Sequence, residues 1–132
     1  MAVAITQLVG PFGTLQVRIT NINNAATTLA APTTGSIYTI GVTNPNLSPV
    51  YLKFADTLSA TVGTTPASTV ITVPGGTDMG GGIINPRHTT TQFGFRDLSF
   101  VNGFSAWCVT GASEASAVSP ASAVTASFII GG

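Results

Sequence analysis

Short apolar runs separated by glycine and proline constrain this sequence more than any other feature. The 132 residues include 15 Gly and 8 Pro, and the runs between them are rich in Val, Ile, Thr and aromatic residues. The clearest run is Thr14–Thr20. Its apolar residues Leu15, Val17 and Ile19 alternate with polar ones, which places one face of a strand in a core and the other in solvent. The pattern predicts an all-β chain of antiparallel strands joined by turns.

The strand pattern extends along most of the chain. The stronger segments are Thr14–Thr20, Ser36–Thr43, Pro49–Ala55, Ser68–Val73, Gly103–Thr110 and Ala123–Ile130, and the weaker ones are Thr89–Phe95 and Leu98–Phe100. We therefore expect seven or eight strands in a single domain, 1–132, with an antiparallel β-sandwich or jelly-roll-like fold. Asn21–Thr34 is predicted to be a loop, and Thr77–Arg87 an extended or mobile loop because of its three consecutive glycines. Residues 1–13 are predicted to form an N-terminal arm that contacts a partner.

Charge is unusually scarce. Only 6% of the residues are charged and the formal net charge is zero, whereas an ordinary soluble domain has roughly 25% charged residues. A surface of Thr, Ser, Asn, Gly and Ala suits docking against other protein, because few charges must be desolvated. The few dispersed basic residues argue against nucleic-acid binding. The sequence has neither an apolar run of about 18 residues nor a secretory signal, so we expect no membrane partner.

The sequence offers little for catalysis. The single histidine, His88, lies in a predicted loop, and no serine or threonine occupies a nucleophile elbow. The single cysteine, Cys108, lies between Trp107 and Val109 in an apolar strand, which predicts a buried and inert thiol. A single cysteine also excludes an internal disulfide, as expected either of a chain made in a reducing cytoplasm or of a mature form whose leader is absent. We expect no enzyme activity, catalytic residue, cofactor or metal site.

Three further sequence patterns do not by themselves identify a functional site. The glycines of Gly75–Gly82 lack the Lys-Ser/Thr ending of a phosphate loop. Asn46-Leu47-Ser48 matches a glycosylation sequon, which we interpret as chance in the absence of a secretory signal. Arg96-Asp97 is compatible with an ion pair at a sheet edge or subunit contact, or equally with a solvated turn.

Two segments carry a family resemblance. The first begins with the strand YLKFAD at Tyr51–Asp56, continues through TVGTTP at Thr61–Pro66 and ends with VITVPGG at Val70–Gly76. The second is FVNGFSAWCVTGA at Phe100–Ala112, followed by a final strand. Together they resemble small structural proteins of tailed bacteriophages and prophages over about half of the chain, from Val50 onwards. The sequence departs from that family pattern in its long Gly80–Pro86 insertion and in retaining only Glu114 after the Thr-Gly-Ala turn.

The resemblance implies a virion role. A compact β-domain of this size looks most like a capsid decoration (cement) protein, made in the host cytoplasm, which binds the outside of the major capsid protein shell and bridges neighbouring subunits. The resemblance also implies a homo-oligomer, most often a trimer. Two alternatives remain open: a tail, collar or fibre-attachment protein of the same virion, and a carbohydrate-binding β-sandwich module.

Partner contacts are expected outside the alternating core pattern. The segments that lack this pattern are Met1–Gly13, Asn21–Thr34 and Gly75–Thr91. Their apolar residues have no obvious strand to belong to, and Gly75–Thr91 also contains Arg87 and His88. The candidate contact residues are Leu8, Val9, Phe12, Met79, Ile83, Ile84, Arg87 and His88.

Overall fold

A computed structural model describes residues 2–7, 15–29, 32–93 and 98–131. Every regular element in these ranges is a β-strand, which confirms the predicted all-β class. The strands are β1 (Ala2–Gln7), β2 (Leu15–Ile22), β3 (Thr27–Thr28), β4 (Gly35–Asn44), β5 (Val50–Ala55), β6 (Thr69–Val73), β7 (Thr77–Gly80), β8 (Ile83–Asn85), β9 (Arg87–Gln92), β10 (Ser99–Phe100), β11 (Ser105–Val109) and β12 (Val124–Gly131).

These strands form two main sheets and one separate hairpin, and all of their pairs are antiparallel. The larger sheet has six strands in the order β1-β2-β12-β4-β10, with β9 also paired to β4. The smaller sheet has four strands in the order β3-β11-β5-β6. Strands β7 and β8 pair only with each other. Neighbours in each sheet are often distant in sequence, as expected for crossing connections between two layers.

The inner faces of the two sheets share one apolar core, which is the arrangement of a β-sandwich. The alternation predicted for β2 is realised, because Val17 and Ile19 are fully buried. Aromatic rings fill the centre of the core, and Phe104 lies 5.1 Å from Phe54 of the smaller sheet and 4.9 Å from Phe128 of the larger one, between ring centroids. The Phe104–Phe128 contact is edge-to-face, and contacts of this kind add specific geometry to the large apolar area that the rings bury.

Loops cover the outer face of the smaller sheet. Trp107 and Val109 are buried there in a second apolar cluster, against Ala60 and Val62 of the connection that follows β5. Lys53 is also buried on this face, and its Nζ donates a hydrogen bond to the backbone oxygen of Ser113. The larger sheet is therefore the layer whose outer face stays accessible.

The strand count is higher than predicted because several strands carry no apolar alternation. The predicted loop Thr77–Arg87 contains the β7–β8 hairpin and the first residue of β9, so its interpretation as an extended or mobile loop is wrong. The predicted loop Asn21–Thr34 contains the end of β2 and the short strand β3. Within the predicted arm, Ala2–Gln7 pairs with β2 as an edge strand. These segments are strands because their backbones pair with a neighbouring strand. A strand that buries few side chains shows no clear hydrophobic alternation in the sequence.

Candidate partner-binding surface

The structure places five of the candidate contact residues on three strands that are consecutive in the chain, β7, β8 and β9, and Leu8, Val9 and Phe12 lie outside the described residues. Met79 on β7 is 62% exposed and Ile83 on β8 is 64% exposed. Ile84 is half-buried, whereas Arg87 and His88 of β9 are exposed. The β7–β8 hairpin thus holds two large apolar side chains in solvent.

Glycine and a local hydrogen bond shape this hairpin. Gly80, Gly81 and Gly82 have φ values of 85°, 63° and 80°, in the left-handed region that glycine adopts without steric cost. The Asp78 Oδ1 atom accepts a hydrogen bond from the backbone N–H of Gly80 at 2.8 Å. The register between β7 and β8 shifts at Met79, and such a bulge turns a side chain away from the regular face.

A buried asparagine pair fixes the base of the hairpin to the sandwich. The Oδ1 of Asn44 accepts hydrogen bonds from the backbone N–H and the Nδ2 of Asn46, at 2.9 and 3.0 Å. Asn46 then exchanges bonds with the backbone of Ser122, at 2.8 and 2.7 Å. Gly76 donates its N–H to the backbone oxygen of Asn46 at 2.8 Å. These hydrogen bonds therefore join the turn after β4, the segment between β6 and β7, and the residues just before β12.

The same network gives the sequon a structural role. Asn46 is only 7% exposed, and both polar atoms of its amide make hydrogen bonds. Its Nδ2 cannot carry a glycan while the folded network is intact. The asparagine of this motif is explained by its hydrogen bonds, in keeping with the interpretation that the sequon match is chance.

An apolar groove of about 330 Å³ lies beside the hairpin base. Ile84, Leu47, Pro49 and Pro120 are among its lining residues. Two exposed apolar residues lie at this groove. Leu47 lines it and is 50% exposed. Val118 is 64% exposed, and its backbone oxygen accepts a hydrogen bond from the N–H of the groove residue Thr110. We name Leu47, Met79, Ile83 and Val118, together with this groove, the hairpin-end surface. Sequence reasoning missed Leu47 and Val118, whose only signal is an apolar residue in a polar turn.

The remaining chemistry-bearing residues are dispersed. Nδ1 of His88 lies 2.8 Å from Oγ1 of Thr43, on the larger sheet. Cys108 is buried in the core as predicted, and burial raises the pKa of its thiol to about 12. Among the described residues, no three His, Cys, Asp or Glu side chains come together in a way that could hold a metal ion. The described part of the chain also contains no helix with the length and apolarity needed to cross a bilayer.

The fold and this surface define an all-β sandwich domain with an exposed apolar end. Comparisons with protein-family models, with curated proteins and with solved structures found no match to this chain.

Proposed function

We propose that this chain is a virion structural protein of a tailed bacteriophage: a capsid decoration protein that binds the outside of the major capsid shell and bridges neighbouring subunits. The observation that carries the proposal is the hairpin-end surface: Leu47 and Ile84 line an apolar groove, and Met79 and Ile83 of the same hairpin are exposed. Apolar patches of this kind on a small domain typically mark protein contacts. The segment resemblance to phage structural proteins supplies the class of partner.

The scarcity of charge supports docking as the role of this surface. Two of the charged side chains are held within the molecule: Lys53 by the backbone of Ser113, and Asp56 by three backbone N–H groups of the loop that ends at Gly103. Few ionic groups remain to be stripped of water when a partner covers the protein. The favourable burial of apolar area at the hairpin end is then opposed by little desolvation.

A rigid body suits a bridging role. The hairpin is tied to both sheets through the Asn44 and Asn46 network, so a load on the hairpin is transmitted to the whole sandwich. We propose that the protein acts as a homotrimer, because three hairpin ends engaged at once would bind a lattice far more tightly than one. Size-exclusion chromatography with light scattering measures this state, and a monomer at high concentration would contradict the trimer.

A matched pair of variants tests the docking surface. Ile83→Glu places a charge on the hairpin-end surface, and Val101→Glu places the same charge on a residue that is 68% exposed in the turn between β10 and β11. The assay is co-sedimentation with particles from which this gene has been deleted. We expect I83E to lose about tenfold or more in affinity, which corresponds to about 1.4 kcal/mol or more, and V101E to bind like the parent protein. Equal binding by both variants would contradict docking through the hairpin end.

Copy number separates the alternatives within a virion. Quantitative mass spectrometry of purified particles should find a decoration protein at an abundance comparable with that of the major capsid protein. An abundance of only a few copies for each particle would instead favour a tail, collar or fibre-attachment protein, and absence from purified particles would exclude a virion role.

A further inference from the structure

The accessible outer face of the larger sheet carries a second, polar surface. Strand register aligns its outward side chains in rows that cross the strands. Because side chains alternate between faces, the outward residues can be assigned from the buried ones: Val17, Ile40 and Phe128 point into the core, and their neighbours point out. The middle row consists of Ala4, Arg18, Ser127, Gly41 and Thr90, and the adjacent row contains Thr125, Thr43 and His88.

Gly41 lies in this face without an internal reason for being glycine. Its φ is not in the left-handed region, and a Cβ atom built there would have no atom within 4 Å. Glycine in a strand interior is less favourable than alanine, because it loses more conformational freedom on folding. A glycine inside a strand marks a bulge, a bend or a close approach of a ligand or another backbone, and neither strand pairing of Gly41 has a register shift at this position.

The guanidinium of Arg18, the imidazole of His88 and several hydroxyl groups line the groove at Gly41. A groove of about 210 Å³ is lined by Arg18, His88 and several hydroxyl side chains, among them Thr43, Thr90, Thr125 and Ser127. The guanidinium of Arg18 makes no hydrogen bond or ion pair with the described residues. Nδ1 of His88 is engaged by Thr43, which leaves Nε2 as its second hydrogen-bonding atom. Neither described aspartate nor Glu114 lines this groove, so its charge complement is an anion.

We propose that this groove binds a small saccharide that carries a carboxylate, with the carboxylate on Arg18 and the sugar hydroxyls on the threonine and serine side chains. A guanidinium offers two parallel N–H donors to a carboxylate, and hydroxyl side chains both donate to and accept from sugar hydroxyls. The groove is smaller than the pockets of about 300–1,000 Å³ that enclose drug-sized ligands, so it suits a single ring. This binding is distinct from the proposed docking, which uses the hairpin end.

Three variants separate this site from general effects of charge and folding. Gly41→Val fills the gap with a residue that favours strands, and its Cβ atom meets no atom within 4 Å. Arg18→Gln removes the guanidinium from the groove. Arg87→Gln removes the same charge from β9. Arg87 pairs with the buried Asn44, so it belongs to the opposite face of the sheet from His88.

The test is a titration of the ¹⁵N-labelled protein with sodium D-glucuronate, followed by amide chemical shifts, with D-glucose and sodium acetate as parallel ligands. We expect saturable shifts at Gly41, Thr90 and Ser127 with glucuronate, roughly millimolar in affinity. Binding should weaken about tenfold in R18Q, vanish in G41V and persist in R87Q, while all variants keep the parent's dispersed spectrum. The absence of saturable shifts, equal shifts with glucose or acetate, or unchanged binding in G41V would overturn the proposal.

Discussion

The thiol of Cys108 predicts a specific loss of stability at alkaline pH. Cys108 is fully buried in β11, and desolvation raises its pKa from an ordinary 9.0 to about 12, against the smaller opposing effect of backbone hydrogen bonds at Tyr51 and Val109. The native thiol therefore keeps its proton at pH 10, whereas the thiol of the unfolded chain ionises near pH 9. Above that pH the native state binds more protons than the unfolded state.

The sign and size of the effect follow from this difference. A group whose pKa is raised by folding contributes stability that is complete below its unfolded pKa and is lost as the pH rises towards its folded pKa. At pH 10, one unit above the unfolded value, the loss is about 1.4 kcal/mol of unfolding free energy, and at pH 8 it is close to zero. The loss should continue to grow up to about pH 12.

Cys108→Ala isolates this contribution. The substitution removes buried volume, which lowers the free energy of unfolding by a roughly constant amount at every pH. It also removes the thiol, and with it the pH-dependent contribution. Burial lowers the pKa of Lys53, opposed by the nearby Glu114 carboxylate, and this lysine shifts stability in the opposite direction. Since Lys53 is present in both proteins, its effect cancels in the comparison.

The measurement is urea denaturation of the parent protein and C108A at pH 8 and pH 10. The difference between the two free energies of unfolding should shrink by about 1.4 kcal/mol at the higher pH. Parallel pH dependences would refute the reasoning and would mean that the thiol ionises as readily in the folded protein as in the unfolded chain.

Three further substitutions probe the core and two buried networks. Phe104→Ala removes the ring that contacts both sheets, so urea denaturation should show a loss of about 3–5 kcal/mol, and a loss below 1 kcal/mol would show that the aromatic centre collapses without cost. Asp56→Ala deprives three backbone N–H groups of their shared acceptor and should lower the unfolding free energy by about 2–3 kcal/mol, with Asp56→Asn closer to the parent in the same titration. Asn46→Ala should cost about 2–4 kcal/mol and lower the thermal midpoint measured by circular dichroism, and an unchanged midpoint would argue against the asparagine network as the anchor of the hairpin.

The sequence predicts the parts of this fold that bury apolar side chains. Thr14–Thr20 and Ala123–Ile130 alternate strongly because β2 and β12 have one face in the core, and the structure confirms both with slightly different ends. The β7–β8 hairpin escaped prediction because TDMG and IIN have no alternation and only one half-buried residue. Its strands exist through backbone pairing and the left-handed glycines, which a pattern of hydrophobicity does not show.

The candidate surface was predictable only in part. Met79 and Ile83 were identifiable as apolar residues without a core strand, and the structure leaves both exposed. Leu47 joins them because the chain folds the Asn46 turn against the hairpin base, a relation between positions about 30 residues apart in the sequence. The groove around Gly41 depends on cross-strand register among β2, β12, β4 and β9, which sequence spacing alone does not determine.

The placement of β12 between β2 and β4 has a consequence for how the protein forms during translation. Val124–Gly131 is synthesised long after β2 and β4, yet it supplies the hydrogen-bonding partner of both strands. Until it emerges, β2 and β4 each lack the partner strand that pairs with one of their edges. A ribosome that stalls before residue 124 would release a chain with both strand edges unpaired, and such edges favour aggregation.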